Sequence, residues 1–228
     1  ALAYHHPRPG SAHAWLRPRS NKNTHQHLAF LNEYLGTHNE AELKKVLAFF
    51  WRLPLWLDLD GLRVVHACWS SQAIETVRPV LHADNTLTLE GLVKASSSYR
   101  DESGDSSIFD AVDVLLKGVE FPLPAGQFFW DKDGVKRDKM RIEWWHNHER
   151  LLGEVAFEAR GLDAASVKTP VGAGDFPGYA PQDKPVFLGH YWMNGTPARL
   201  SPNVACLDYS IAKGNKLVAY RWSGEREL

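Results

Sequence analysis

Cysteine is scarce in this sequence: Cys68 and Cys206 are the only two in 228 residues. That excludes a small disulfide-stapled scaffold. Both sit in apolar runs, Val-Val-His-Ala-Cys-Trp and Val-Ala-Cys-Leu, where the thiol serves as a small buried hydrophobe and a reducing, cytoplasmic setting is expected. An excess of one charge is also lacking. The 26 basic and 27 acidic residues leave a net charge of −1, so no overall field draws the chain to nucleic acid or an anionic membrane. An anionic substrate must therefore be held by local charge or by metal. No apolar run reaches the 18 residues a membrane span needs. The sequence opens without an initiator methionine or a secretory leader, on a polar stretch rich in His and Pro that reads as the middle of a protein.

What is present suits a globular protein. Hydrophobic residues make up 44% and charged residues 23%, enough apolar material for a core and against wholesale disorder. A length of 228 residues predicts one domain with long insertions rather than two. Nine tryptophans are many; Trp144-Trp145 and Tyr191-Trp192 are expected at half-buried surfaces or cleft walls.

Periodicity orders the chain. Residues 1–21, with Pro7, Pro9, Gly10 and Pro18, read as loop. A helix is predicted over 24–35, with Leu28, Leu31, Tyr34 and Leu35 on one face and Gly36 as its stop. Another is predicted over 40–52, capped by Asn39, striped by Leu43, Val46, Leu47 and Phe50, and ended by Pro54. Asp60-Gly61 between two apolar runs marks a hairpin whose second strand ends at His66. Helical pieces follow over 73–80, 87–94 and 108–116, and the Ser/Asp/Gly-rich stretch 96–107 reads as a surface loop. Two strands around Asp133-Gly134 run to Trp145, residues 161–184 read as loop, and strands are predicted over 185–188, 204–208 and 216–222, with Gly214-Asn215 as the last turn.

Two histidines share one context. Arg63-Val-Val-His66-Ala-Cys-Trp69 and Val186-Phe-Leu-Gly-His190-Tyr-Trp192 each end an apolar strand in His. In α/β sheets ligands gather beyond the carboxyl ends of strands, and neutral imidazole is the commonest metal ligand. Taken singly, a hydrogen-bonded, half-buried histidine is the commoner state of such a position. The surrounding residues add to this. The segment from Leu53 through His66, the Gly189-His190 segment, and the closing run Ser201-Pro-Asn-Val-Ala-Cys-Leu-Asp208-Tyr-Ser-Ile-Ala-Lys-Gly214 onward to Arg221-Trp222 resemble calcineurin-like metallophosphoesterases. The resemblance is to the branch of symmetrical dinucleoside-tetraphosphatases and serine/threonine phosphatases, and it covers most of residues 40–225.

That resemblance implies an α/β fold, a β-sandwich flanked by helices, lacking its N-terminal strands. It implies one domain over 1–228 with an insertion or lid at about 84–184. It implies hydrolysis of a phosphomonoester or phosphoanhydride at a centre of two divalent ions (Mn, Fe or Zn), with His66 and His190 as ligands of the second metal and Arg141 on substrate phosphate. The family's Asp-x-His, Gly-Asp-x-x-Asp-Arg and Gly-Asn-His-Glu motifs are not in the sequence, and Ala1-Leu-Ala-Tyr4-His5 resembles the residues that follow the last of them. The expectation is a chain that begins after them, without the general acid, so that the fragment binds metal weakly and turns over poorly. Substrates in view are a phosphorylated small molecule, a nucleotide or a phosphoprotein. An alternative in this class is a protein serine/threonine phosphatase; outside it, an inactive binding domain that keeps the scaffold.

Other residues carry weaker expectations. Alternation on 139–145 places Met140, Ile142 and Trp144 on one face and Arg141, Glu143 and Trp145 on the other, which leaves an Arg141 to Glu143 surface pair open beside the phosphate role. His25 and His27, two apart on a predicted helix, point away from each other. His146 and His148 read as a solvated strand end, His5 and His6 as loop, and Asp208 as a turn former or a hydrogen-bond partner of a ligand histidine.

Overall fold

The computed structural model describes residues 1–11, 13–34, 39–130, 134, 136–157, 167–172 and 174–228. Leu35 and Gly36 of the predicted helix stop, Asp133 of the predicted turn and residues 161–166 lie outside them. The chain is mixed α/β, with helices and several small sheets. Among the described residues no helix is long and apolar enough to cross a membrane. Two compact units form, Ala1–Leu55 with Ala73–Val112, and Trp56–Gln72 with Asp113–Leu228.

The first unit is helical. Helix α1 (Leu2–His5) is a single turn, and α2 (Asn21–Gln26) begins where the Ser20 hydroxyl accepts from the Asn23 amide. The helix predicted over 24–35 is in fact two: His27 breaks it with φ −109° and ψ 3°, and α3 (Leu28–Tyr34) resumes beyond. Helix α4 (Glu40–Trp51) starts as predicted, Asn39 Oδ1 accepting from Glu42 N at 3.4 Å. Its stripe of Leu43, Val46, Leu47 and Phe50 is half-buried. Helix α5 (Ser71–Val77) runs into a short 3-10 turn, and α6 (Leu89–Lys94) is capped by Thr88. The stretch expected as loop holds α7 (Ser97–Ser103), capped by Ser96 and stopped by Gly104 at φ +71°. Cap and stop outweigh its polar composition. Helix α8 (Ser107–Lys117) then carries the chain into the second unit.

The second unit is built on a four-stranded sheet. Strands β1 (Trp56–Asp58) and β2 (Arg63–Val65) form the hairpin that Asp60-Gly61 announces, with Trp56 opposite Val65. After β2 the chain returns much later. Strands β3 (Glu120–Pro122), β6 (Lys139–Ile142) and β8 (Ala156–Phe157) make a three-stranded antiparallel sheet. Strands β4 (Phe129–Trp130) and β5 (Lys136–Arg137) pair beside it in sequence, and β7 (Arg150–Leu151), which leads into helix α9 (Leu152–Val155), pairs with β9 (Pro170–Val171). Met140, Ile142, Leu152, Val155, Val167 and Val171 form the core of this region.

Strands β10 (Val186–Leu188) and β11 (Val204–Cys206) complete the main sheet in the order β1-β2-β10-β11. Both are buried along their length, β10 as an interior parallel strand and β11 although it ends the sheet. Strand β10 is parallel to both neighbours, with Val186 opposite Arg63 and Val204. Strand β12 (Asp208–Tyr209) leaves the sheet to pair with β13 (Lys216–Leu217) through a turn closed at Gly214, φ +79°.

The tryptophans depart from expectation. Trp144, Trp145 and Tyr191 are buried rather than lining a surface, and Trp192 alone of the two pairs is half-buried. Alternation fails after Ile142 because β6 ends there, which lets Trp145 join Trp144 inside. Cys68 and Cys206 are buried free thiols; burial pushes both pKa values up, that of Cys206 to about 11. They stay protonated and inert at neutral pH.

Candidate metal centre

Three parallel strands ending at one edge bring the site together. The residue after β2 is His66, two after β10 is His190, and two after β11 is Asp208. Strand register sets the rest: Gly189 N donates to the His66 carbonyl at 2.9 Å, and Leu207 N to the Leu188 carbonyl at 2.8 Å. At this crossing a Cβ on Gly189 would meet the His66 carbonyl at 3.4 Å and the Asp208 Cβ at 3.7 Å, ordinary van der Waals contacts that leave room for a small side chain. The imidazoles of His66 and His190, 124 positions apart, have ring centroids separated by 5.2 Å at an interplanar angle of 48°. Two imidazoles sharing one ion at bonds of about 2.0–2.1 Å and a tetrahedral angle place their centroids roughly 5 Å apart.

His190 is held by strain and by Asp208. Tyr191 N donates back to the Gly189 carbonyl at 2.7 Å, closing a three-residue turn with His190 at its centre and φ +64°. A positive φ in such a turn is the rare, strained form, and strained positions that persist cluster at functional sites. Asp208 steadies it: Oδ2 accepts from His190 N at 3.1 Å and Oδ1 from Ser210 N at 3.0 Å. Thus Asp208 forms a turn and orients a histidine, through that residue's backbone rather than its ring.

Beneath this edge lies an aromatic floor. The Trp144 indole N–H donates to the Ala67 carbonyl at 3.0 Å, directly after His66. The Tyr191 hydroxyl, directly after His190, donates to the Ile142 carbonyl at 3.0 Å. Trp145 and Phe157 pack edge-on against the Tyr191 ring at 5.2 and 4.8 Å. Both histidine loops are therefore fastened to the same buried segment.

Arg141 rises from the middle of β6, opposite Glu120 and Phe157. Its guanidinium carbon stands 5.7 Å from the Tyr191 centroid, and its charge acts on His190. The structure gives Glu143 a different partner, His146 Nε2 at 3.0 Å. His148 Nδ1 meets Asn147 at the exposed end of this segment. Lys117, at the end of α8, also adds positive charge toward His190. Its sequence context, the last turn of an amphipathic helix, gave no sign of that.

Among the described residues, two buried polar atoms here have no hydrogen-bond partner: His190 Nε2 and Arg141 Nε. A buried, unpartnered polar atom is costly; an acceptor beside Arg141 and an electrophile beside His190 would satisfy these two. Burial first, then Arg141 and His66, lowers the His190 pKa to about 4, and burial lowers that of His66, with Asp208 opposing in both cases. Both rings are neutral at pH 7, the state that binds a cation. Among the described residues no group of three or more His, Cys, Asp or Glu side chains is placed to hold a metal.

A prediction follows from the lowered pKa. In the metal-free chain the unfolded state binds more protons than the native one between about pH 4 and 6.5. The His190 contribution to stability is present above pH 6.5 and is lost as pH falls toward 4. Ring resonances should titrate near 4 for His190 rather than near 6.5, and His190→Gln should reduce the pH dependence of the urea midpoint in that window.

Comparison with family models, with curated proteins and with solved structures returns no match to this chain.

Proposed function

We propose that the chain supplies part of the dinuclear metal centre of a phosphoesterase, on a metallophosphoesterase sandwich, acting on a phosphomonoester or phosphoanhydride. The reading rests on one observation above all: His66 and His190 meet at the carboxyl edge of a parallel sheet, with the buried Nε2 of His190 unpartnered. The two neutral imidazoles suit Fe or Zn, and Mn would draw its further ligands from oxygen donors, water or a carboxylate. An ion held there would supply Lewis-acid polarisation of a phosphoryl oxygen and, paired with a second ion held by other residues, a water of lowered pKa.

The protein's own groups complete the picture. His66 and His190 would hold one ion. Asp208 fixes the backbone from which His190 projects and adds negative charge toward both rings. Arg141 offers a permanently charged, forked donor to phosphoryl oxygens, and its buried Nε has no partner among the described residues. Lys117 adds positive charge on the same side of the titration, favouring an anionic substrate. Whether the substrate is a nucleotide, a small phosphate ester or a phosphoprotein is decided by what surrounds these groups.

The test is a titration of the chain with Mn²⁺, read by paramagnetic broadening of histidine ring resonances. His66 and His190 should broaden together at the lowest Mn²⁺ concentration, and phosphate added afterwards should shift the Arg141 Nε resonance. Broadening that spares these two rings would sink the reading.

A further inference from the structure

A second pair of histidines lies in the first unit. His5 ends α1 and His27 occupies the break between α2 and α3, yet their Nε2 atoms stand 3.0 Å apart and their ring centroids 5.2 Å. Nothing in their spacing, 22 residues, makes them neighbours; the fold does. The rings are also held. His27 stacks on Phe30 at 4.7 Å and 20°, and Tyr4 packs against both rings at 4.8 and 5.3 Å while its hydroxyl is tied to Thr24 Oγ1 at 3.0 Å. Both residues are half-buried, so solvent and ions reach them.

We propose that His5 and His27 form a two-histidine site for a divalent transition-metal ion of borderline softness, Zn²⁺ or Cu²⁺. Two nitrogens bound to one tetrahedral ion at about 2.0–2.1 Å lie roughly 3.3 Å apart, so the rings need separate by only a few tenths of an ångström. Without metal, one Nε2–H donates to the other Nε2. On binding, that proton moves to Nδ1 of the same ring, both Nε2 lone pairs turn to the ion, and no net proton is released. Burial and neighbouring positive charge lower the pKa of both rings, His27 to about 4, which keeps them neutral at pH 7.

The charged neighbours set the strength. Arg19 beside His5 and Arg17 beside His27 act against a cation here. Arg17 hydrogen-bonds Asn23 and Gln26, and Arg19 lies over the Trp15 ring at 3.3 Å, so neither guanidinium occupies the space between the imidazoles. Among the described residues no third protein ligand joins the pair. Water completes the shell, and affinity is modest, on the order of micromolar for Cu²⁺, the strongest binder of the divalent series.

This site stands on the first unit alone and does not depend on the phosphoesterase reading. It is tested with Cu²⁺ and Zn²⁺ as probes. In a His66→Ala/His190→Ala background, one equivalent of Cu²⁺ should bind with nitrogen hyperfine structure in its electron paramagnetic spectrum. Adding His27→Ala or His5→Ala should weaken it at least tenfold, while His25→Ala, exposed and adjacent, should change nothing. In the unaltered chain, Zn²⁺ should shift the ring nitrogens of His5 and His27 together. Undiminished Cu²⁺ binding by folded His27→Ala and His5→Ala variants, or ring nitrogens indifferent to Zn²⁺, would overturn the proposal.

Discussion

Trp144→Ala is expected to lower the unfolding free energy by about 3–5 kcal/mol, the cost of emptying a fully buried indole site. Trp144 has no exposure, crosses Trp145 and Tyr179 edge-on at 6.0 and 5.9 Å, and gives its one N–H to the Ala67 carbonyl. Trp144→Phe keeps most of the apolar area and removes the donor, so its cost should be nearer 1–2 kcal/mol, a hydrogen bond with its acceptor left buried. The comparison separates packing from the tether. Because Ala67 follows His66, both variants should also loosen the His66 ring, seen as faster amide exchange at Ala67 and Cys68. Urea unfolding measures the first effect. A Trp144→Ala variant within 1 kcal/mol of the parent would show that this floor is not what holds the histidine loops.

The parts of this fold that could be read in advance are those with local causes. Asp60-Gly61 dictates its hairpin because two residues that tolerate a tight turn sit between two apolar runs, and β1 pairs with β2 in that register. Asn39 starts α4 for an equally local reason. His66 and His190 were visible as strand-end histidines, and parallel pairing of β2 with β10 turns two similar contexts into one place. What escaped depends on long-range contacts or on a weak cue set against composition. Helix α7 was hidden by its serines, although Ser96 and Gly104 bracket it with a cap and a left-handed stop. The break at His27 cannot be read from a segment whose periodicity runs on through it, and the His5 partnership across 22 residues has no periodic signature. Trp145 went inside because β6 stops at Ile142, and no alternation rule states where a strand will end. Lys117 is a helix-end lysine like many others until α8 delivers its charge toward His190.

Asp208→Ala should have the larger consequence for metal binding. One carboxylate holds two positions of positive φ, His190 at +64° through Oδ2 and Ser210 at +60° through Oδ1. Such positions cost on the order of 1–3 kcal/mol each unless their surroundings fix them, and a hydrogen bond to a charged group contributes about 1.5–3 kcal/mol. Asp208 is only partly buried, so the lower end applies and a loss of roughly 2 kcal/mol is expected on urea unfolding. The negative charge goes too, and that charge favours positive charge at both His66 and His190. Together these should weaken Mn²⁺ binding by about ten- to a hundredfold, the usual effect of removing a group that orients a ligand. Asp208→Asn divides the two causes: its single carbonyl oxygen can retain one backbone bond while the charge is lost. Positioning predicts that Asn recovers part of the affinity; pure electrostatics predicts that Asn and Ala are equal. Equal Mn²⁺ affinity in all three proteins, measured calorimetrically at pH 7, would leave Asp208 as a turn former alone and would detach it from the proposed metal site.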